Sequence, residues 1–367
     1  MTTPRNGRPA AATPTPAARP GGKPGKQVTC PICLTPIKDW AGLPRLTWDE
    51  DRRSFKELPV LADPDSPQQI YLQRESVKRC PNPYQFSPAE HYLPADYGSF
   101  GPPVVLGFVG LTQAGKTHLL TSMVGTMNTS LSRYRIGCRA LDRSRHERFR
   151  QERVQRLLRR NEVLAGTQEG IQTFADAFVM KHGDGAERPV ILFDVAGGDL
   201  VGGKEVKRFL DIADGLFFIV DPTQLDPHNG TDETFDNVLD LLKGAGRLPG
   251  KVSAAVVVAK ADLLRFEEPV TRWLRSDSTT VDADEFLRES RDAYAFLHEK
   301  GASAWTLPYE ECAKATLHFA SATGGPGLGE GGVYPRGVSP RRVLRPLVAM
   351  LAMTGVLNSG DAGKVGI

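Results

Sequence analysis

The chain has 367 residues, 40% of them hydrophobic, and a formal net charge of +3 from 46 Lys+Arg against 43 Asp+Glu. That is enough apolar material for one α/β domain of ordinary size plus a smaller module, and too little net charge to argue by itself for a nucleic acid or an anionic membrane. Five cysteines, an odd number with three near the N-terminus, speak against a disulfide framework and for a reducing compartment.

Residues 1–26 are rich in Pro, Ala, Thr and Gly and lack an apolar stretch, so they read as a disordered tail rather than a signal peptide. The apolar run Leu347–Met353 falls far short of the roughly 20 residues that span a bilayer. A cytoplasmic protein without a membrane span is expected.

Residues 27–100 are rich in proline and aromatic residues with little periodicity, which predicts a small, loop-rich module. Cys30-Pro31-Ile32-Cys33 is a knuckle of the kind that ligates zinc, its two thiolates spaced to point at one ion. The second half is incomplete: Cys80-Pro81-Asn82-Pro83 carries proline where another cysteine would stand, leaving His91 as the candidate fourth ligand. Zinc on Cys30, Cys33, Cys80 and His91 is one expectation; a metal-free ribbon kept folded by Trp40, Trp48, Tyr84 and Tyr92 is the other. Cys138 and Cys312 read as ordinary buried residues.

From residue 101 to about 358 apolar runs alternate with amphipathic helical stretches, the pattern of an α/β sheet with helices on both faces. Residues 359–367 read as a flexible C-terminus. The run Val104–Val109 is apolar throughout, as a strand covered on both faces should be, and leads into Gly110-Leu111-Thr112-Gln113-Ala114-Gly115-Lys116-Thr117. This matches the phosphate-loop pattern G-x-x-x-x-G-K-[ST] at every fixed position, and His118–Val124 continues in helix-compatible residues. Nucleotide contacts are therefore expected from Gly110, Gln113, Ala114, Gly115, Lys116, Thr117 and His118. Backbone N–H groups and the helix N-terminus favour phosphate, Lys116 reaches the outer phosphates, and the Thr117 hydroxyl suits magnesium.

Residues 142–166 form a basic helical insertion with eight arginines between Arg143 and Arg160 and a narrow apolar stripe at Phe149, Val154, Leu157 and Leu158. A solvated charged face, a docking surface for an acidic partner and a nucleic-acid contact all fit; no aromatic stacking set accompanies the arginines, so nucleic acid is not favoured. Strands follow at 134–141, 173–181, 189–193, 216–220, 254–258 and 316–320, with a hairpin at His182–Gly185.

The strand Val190–Phe193 ends in Asp194-Val195-Ala196-Gly197. The carboxylate can hold magnesium, and the Gly197 N–H can approach a terminal phosphate because no side chain blocks it. Ala254–Val258 runs into Ala259-Lys260-Ala261-Asp262, whose aspartate can accept from guanine's ring N–H and amino group together while the Lys260 stem covers the base. Ser321-Ala322-Thr323 follows the last strand. Every motif stands at the C-terminal end of a strand, where open α/β sheets bind ligands.

In this order the four elements resemble a translation-factor-class, Ras-like P-loop GTPase domain over residues 101 to about 330. The cysteine module together with Val-Leu-Gly-Phe-Val-Gly-x-x-x-Ala-Gly-Lys-Thr-His-Leu-Leu resembles bacterial GTPases of the double-GTPase kind, encoded beside partner proteins in conflict or immunity systems. The resemblance implies a three-layer, mostly parallel sheet of about six strands, GTP or GDP with magnesium, and a switch acting on a protein partner. It also implies that the Ala322 N–H meets guanine's carbonyl oxygen. Two departures stand out. Gly198 replaces the water-orienting Gln, so hydrolysis should be slow unless Asp199 substitutes or a partner supplies an arginine. Ala259 replaces the Asn or Thr that ties this loop to the phosphate loop. A switch threonine completing the magnesium shell is expected at Thr167, with Thr173 the alternative. An ATP-using P-loop enzyme fits if Asp262 faces solvent, and a nucleotide-supported scaffold with little turnover fits the two departures.

Overall fold

A computed structural model describes residues 28–30, 32, 33, 35–58, 66–82, 90–165, 173–195, 204–224, 233–276, 278–329 and 331–367. The segment 1–26 and Tyr84 lie outside them.

The N-terminal module holds more regular structure than its composition suggests. A hairpin pairs β1 (Val28–Thr29) with β2 (Pro36–Ile37), and β3 (Leu46–Asp49), β4 (Ser54–Glu57), β5 (Val77–Arg79) and β6 (Tyr92–Pro94) form an antiparallel sheet in the order β4-β3-β5-β6, with α1 (Pro67–Glu75) between β4 and β5. Phe55 packs between Trp48 and Tyr92, while Trp40 is buried edge-on against Tyr97.

The main domain follows in chain order: β7 (Val104–Val109), α2 (Lys116–Ser130), β8 (Ile136–Ala140), α3 (Arg143–Phe149) running on as a π-helix over Arg150–Arg159, β9 (Thr173–His182), β10 (Arg188–Asp194), α4 (Lys204–Ile212), β11 (Gly215–Val220), α5 (Glu233–Gly244), β12 (Ser253–Val258), α6 (Val270–Arg275), α7 (Ala283–Glu299), α8 (Leu307–Glu311), β13 (Ala315–Phe319) and α9 (Arg345–Met353). The strands make one sheet in the order β13-β12-β11-β7-β10-β9-β8. The first five run parallel; β9 is antiparallel to β10, and β8 is antiparallel to β9. The sheet therefore has seven strands where the resemblance implies about six, the added edge being β8, whose Ile136 is buried against the α2 layer.

Period-2 alternation of the apolar runs explains why helices cover both faces. On β7, Val104, Leu106 and Phe108 enter the core beneath α2 and α9, while Val105 and Val109 enter the opposite core with Phe209 of α4 and Phe235 of α5. That second core also takes in Cys30, Trp40 and Tyr97, so the module is docked on the sheet face formed by Ala177, Val179 and Ile191. α9 packs on the sheet, every residue of it buried. The tail after it is not flexible as expected: Ala362 and Val365 are buried in the same core, and the Ala315 N–H donates to Gly366 O at 2.9 Å. A fully buried Glu289 on α7 faces Arg342 at 2.7 Å and His318 Nδ1 at 3.1 Å, and accepts from the Phe319 N–H, tying α7 to β13 and to the chain entering α9.

Candidate functional site

Because β7, β10, β11, β12 and β13 are parallel, the residues after each of them share one edge of the sheet. After β7 the chain turns through Gly110 (φ +152°) and Gly115 (φ +97°), and at Gly110 a Cβ would come within 2.6 Å of Ile219 O. Only glycine fits there, and the turn leaves α2 starting at Lys116 directly after the loop. Lys116 Nζ spans the loop, donating to Gly110 O and Leu111 O at 2.7 Å each. Gln113 holds a positive φ within it, and Ala114 closes the turn with its N–H to Leu111 O.

The Thr117 hydroxyl donates to Asp194 Oδ2 at 2.8 Å, and both side chains are buried. A hydroxyl and a carboxylate oxygen, both hard donors, held together at a helix N-terminus, are a donor set that fits magnesium. Thr167 and Gly197 lie outside the described residues, as do Gly198 and Asp199. Thr173, the alternative switch residue, opens β9 directly beside Asp194 in the β9–β10 register.

The loops after β11, β12 and β13 build the other end. Lys260, in the left-handed region at φ +47°, places its ammonium 2.8 Å from Asp221 Oδ2, and Asp221 Oδ1 accepts from the Thr223 N–H and hydroxyl. A Cβ on Gly115 would lie 3.7 Å from Lys260 Cε and 3.9 Å from Ala259 Cβ, so this loop passes beside the phosphate loop. Asp262 is only 5% exposed. Ser321 Oγ donates to its Oδ1 and itself accepts from the Gly324 N–H. Ala322 O accepts from Ser122 Oγ of α2 at 2.7 Å, fixing this loop to the helix that starts at the phosphate loop.

His118 points away from this line. Its Nε2 accepts from the Leu164 N–H at 3.2 Å and its ring meets Tyr334 edge-on. Burial, with the nearby charges of Lys260 and Arg153, pulls its pKa down to about 4, so it is neutral near pH 7. Asp221 escaped the sequence reading although it follows a strand exactly as Asp194 does. The position alone could have singled it out, but no motif marks it.

In the module, Cys30 and Cys33 lie in the β1–β2 turn, where the Ile32 N–H donates to Cys30 Sγ. Cys80 follows β5 and His91 precedes β6, joined by the Cys80 N–H to His91 O bond. The four ligand atoms all lie within 4.8 Å of one another and all four residues are buried. Cys33 Sγ and Cys80 Sγ are 3.8 Å apart, which is the edge of a tetrahedron with metal–sulfur distances of about 2.3 Å. Neither His91 ring nitrogen makes a hydrogen bond of normal geometry. Burial pushes the His91 pKa down, yet the Cys33 and Cys80 sulfurs outweigh it and raise it to about 9. His91 thus stands where the missing second cysteine of the knuckle would be.

No family model and no curated protein matches the chain. Among solved structures it is similar to the G domain of the FeoB iron transporter of T. maritima (13% identity, 69% of this chain and 98% of that one, TM-score 0.28). It is also similar to Aquifex aeolicus Era bound to GDP.AlF4− (14% identity, 70% and 57%, TM-score 0.32). A third is the signal recognition particle receptor SRb-GTP/SRX complex from Chaetomium thermophilum (16% identity, 63% and 95%, TM-score 0.30). The chain spans just over half of the Era structure's length.

Proposed function

We propose that this chain binds GTP and GDP with magnesium, hydrolyses GTP slowly, and uses the difference between the two states as a switch toward a protein partner. The observation that carries this reading is the placement of Asp262, buried and held by Ser321, on the same sheet edge as the Thr117–Asp194 pair. A buried carboxylate at this position supports guanine over adenine, because only guanine offers two adjacent donors to its two oxygens.

In this scheme the phosphate-loop N–H groups and Lys116 hold the β- and γ-phosphates. Thr117 and Asp194, with Thr167 from the segment before β9, would hold magnesium, which would supply positive charge to the phosphate oxygens. Gly197 senses the terminal phosphate through its N–H, and the loss of that contact on hydrolysis releases the segment after Asp194. The buried Cys30, Cys33, Cys80 and His91 hold zinc in a structural role, closing the module that docks on β9 and β10.

Calorimetry with GTP, GDP and ATP in magnesium buffer tests the reading, run beside Asp262→Asn, which turns one acceptor into a donor facing guanine's own donors. Guanine preference that collapses in the variant is expected. ATP binding as tight as GTP binding, unmoved by the substitution, would remove the guanine assignment.

A further inference from the structure

A cavity of about 160 Å³ opens beside the phosphate end of the site, and its wall includes Thr117, Asp194, Arg145, Arg148, Glu152 and Arg153. Two elements of unrelated sequence position meet there: the magnesium-type pair on α2 and β10, and the basic helix inserted between β8 and β9. The volume accommodates a phosphoryl group and several waters.

The arginines of this helix are not equivalent. Arg145 is held by Asp142 at 3.5 Å, Arg150 by Glu147 at 3.5 Å, and Arg156 and Arg160 by Glu162 at 2.6 and 3.8 Å. Arg148 and Arg153, both on the cavity wall, have no carboxylate within ion-pair distance among the described residues. The chain passes from α- to π-helix between them, and Arg160 N–H to Gln155 O is a bond of the i→i+5 type. That widening carries residues five apart toward one face, whereas in an α-helix the stacked neighbours are three and four apart. π-Helical turns are rare and concentrate at functional sites. The charge of Arg153 also reaches the phosphate loop, since it contributes to the depressed pKa of His118, the residue after Thr117.

We propose that Arg148 and Arg153 are catalytic residues acting in cis: their guanidinium groups contact the γ-phosphoryl oxygens of GTP and stabilise the charge that develops there during transfer to water. The inference rests on the GTPase reading above and replaces a partner's arginine with the chain's own. The oxygen of a water molecule bonds to the γ-phosphorus while the bond to the β–γ bridging oxygen breaks, its electron pair leaving with GDP. The water's protons end on inorganic phosphate and solvent. Two preplaced cations lower the cost of that step without a rearrangement, and together they are worth about 10³ in rate.

The test uses the full-length protein alone. Single-turnover GTP hydrolysis and the binding of GDP with aluminium fluoride, which mimics the transferring phosphoryl, are measured for the parent, Arg148→Ala, Arg153→Ala, the double variant and Arg153→Lys. Expected are loss of about tenfold or more for each single alanine variant and about 10³-fold for the double, with aluminium fluoride binding lost in parallel. GTP affinity should stay within about threefold of the parent, since the contact tightens only as the charge develops. Lysine should restore only part of the rate, lacking the guanidinium fork. A double variant that turns over like the parent, or one whose GTP affinity falls as much as its rate, overturns the proposal. So does a parent that binds GTP but neither hydrolyses it nor takes up aluminium fluoride. A parent that binds no guanine nucleotide removes the GTPase reading itself, and the two failures are thereby distinguished.

Discussion

Lys260 Nζ and Asp221 Oδ2 meet at 2.8 Å, so the loop after β12 is anchored to the loop after β11 while its lysine stem lies over Gly115. Under the proposed GTPase reading, the pair would hold the loop that meets the base in register with the loop that meets the phosphates. Asp221→Asn should keep the fold and weaken GTP and GDP alike by about tenfold, the cost of a lost charge-assisted hydrogen bond. Calorimetry checks it; equal affinity in variant and parent would show that the ion pair does not position Lys260.

The cysteine cluster gives a prediction independent of nucleotide. The purified chain should carry one zinc per molecule by elemental analysis. Cys33→Ser or His91→Ala should lose it and lower the melting temperature by about 4 °C, as a loss of about 3 kcal/mol would in a chain of this size. A metal-free parent that melts unchanged in the presence of chelator would leave the aromatic packing of Trp40 and Tyr97 as the module's support.

His118 makes stability depend on pH in a defined window. Its folded pKa, about 4, lies below the ordinary value of 6.5, so the unfolded chain takes up a proton first as pH falls. The stability this neutral ring contributes is fully present above pH 6.5 and is lost progressively down to pH 4, by on the order of 2–3 kcal/mol. Urea unfolding at pH 7.5 and pH 5 should show a smaller pH difference in His118→Gln than in the parent. An identical difference would remove His118 from that role.

Glu289 titrates lower. Burial opposes its charge, but His318 and Arg342 outweigh that and hold the carboxyl at about 2. Its contribution is therefore present above the ordinary carboxylate value near 4.5 and lost between there and pH 2. Glu289→Ala leaves Arg342 facing an uncompensated buried site and should cost about 3–5 kcal/mol at neutral pH, read by denaturant unfolding. A loss below about 1 kcal/mol would mean that the network is relieved by local rearrangement.

Much of this site was legible because its parts are local in sequence. The run Val104–Val109, the glycines at 110 and 115, and Lys116 fall within a dozen residues, and a continuous apolar strand followed by a positive-φ turn has few alternative structures. What sequence order hides are contacts between loops on different strands. Asp221 carries no motif and is recognised only once β11 lies beside β12. His91 could be named as a ligand, yet only the β5–β6 pairing brings it to Cys80. The arginine helix stayed open between a charged face, a surface for an acidic partner and a nucleic-acid contact, because neither its passage from α- to π-helix at Arg150 nor the cavity that Arg148 and Arg153 line with Thr117 has a signature in an amphipathic pattern of ordinary period. The tail after α9 was misjudged because its glycines and short polar residues mask Ala362 and Val365, the two side chains that seat it.

The docking of the N-terminal module onto β9 and β10 sets an order of events during synthesis. Tyr97 leaves the ribosome before Ile191 by nearly a hundred residues, an interval of about 5–20 s at ordinary elongation rates. Throughout it the apolar underside of the module has no sheet to rest on. All four members of the cysteine and histidine cluster, however, have already emerged by residue 91. With zinc bound as proposed, the nascent module can thus close around it first and wait, preformed, for the strands that will cover it.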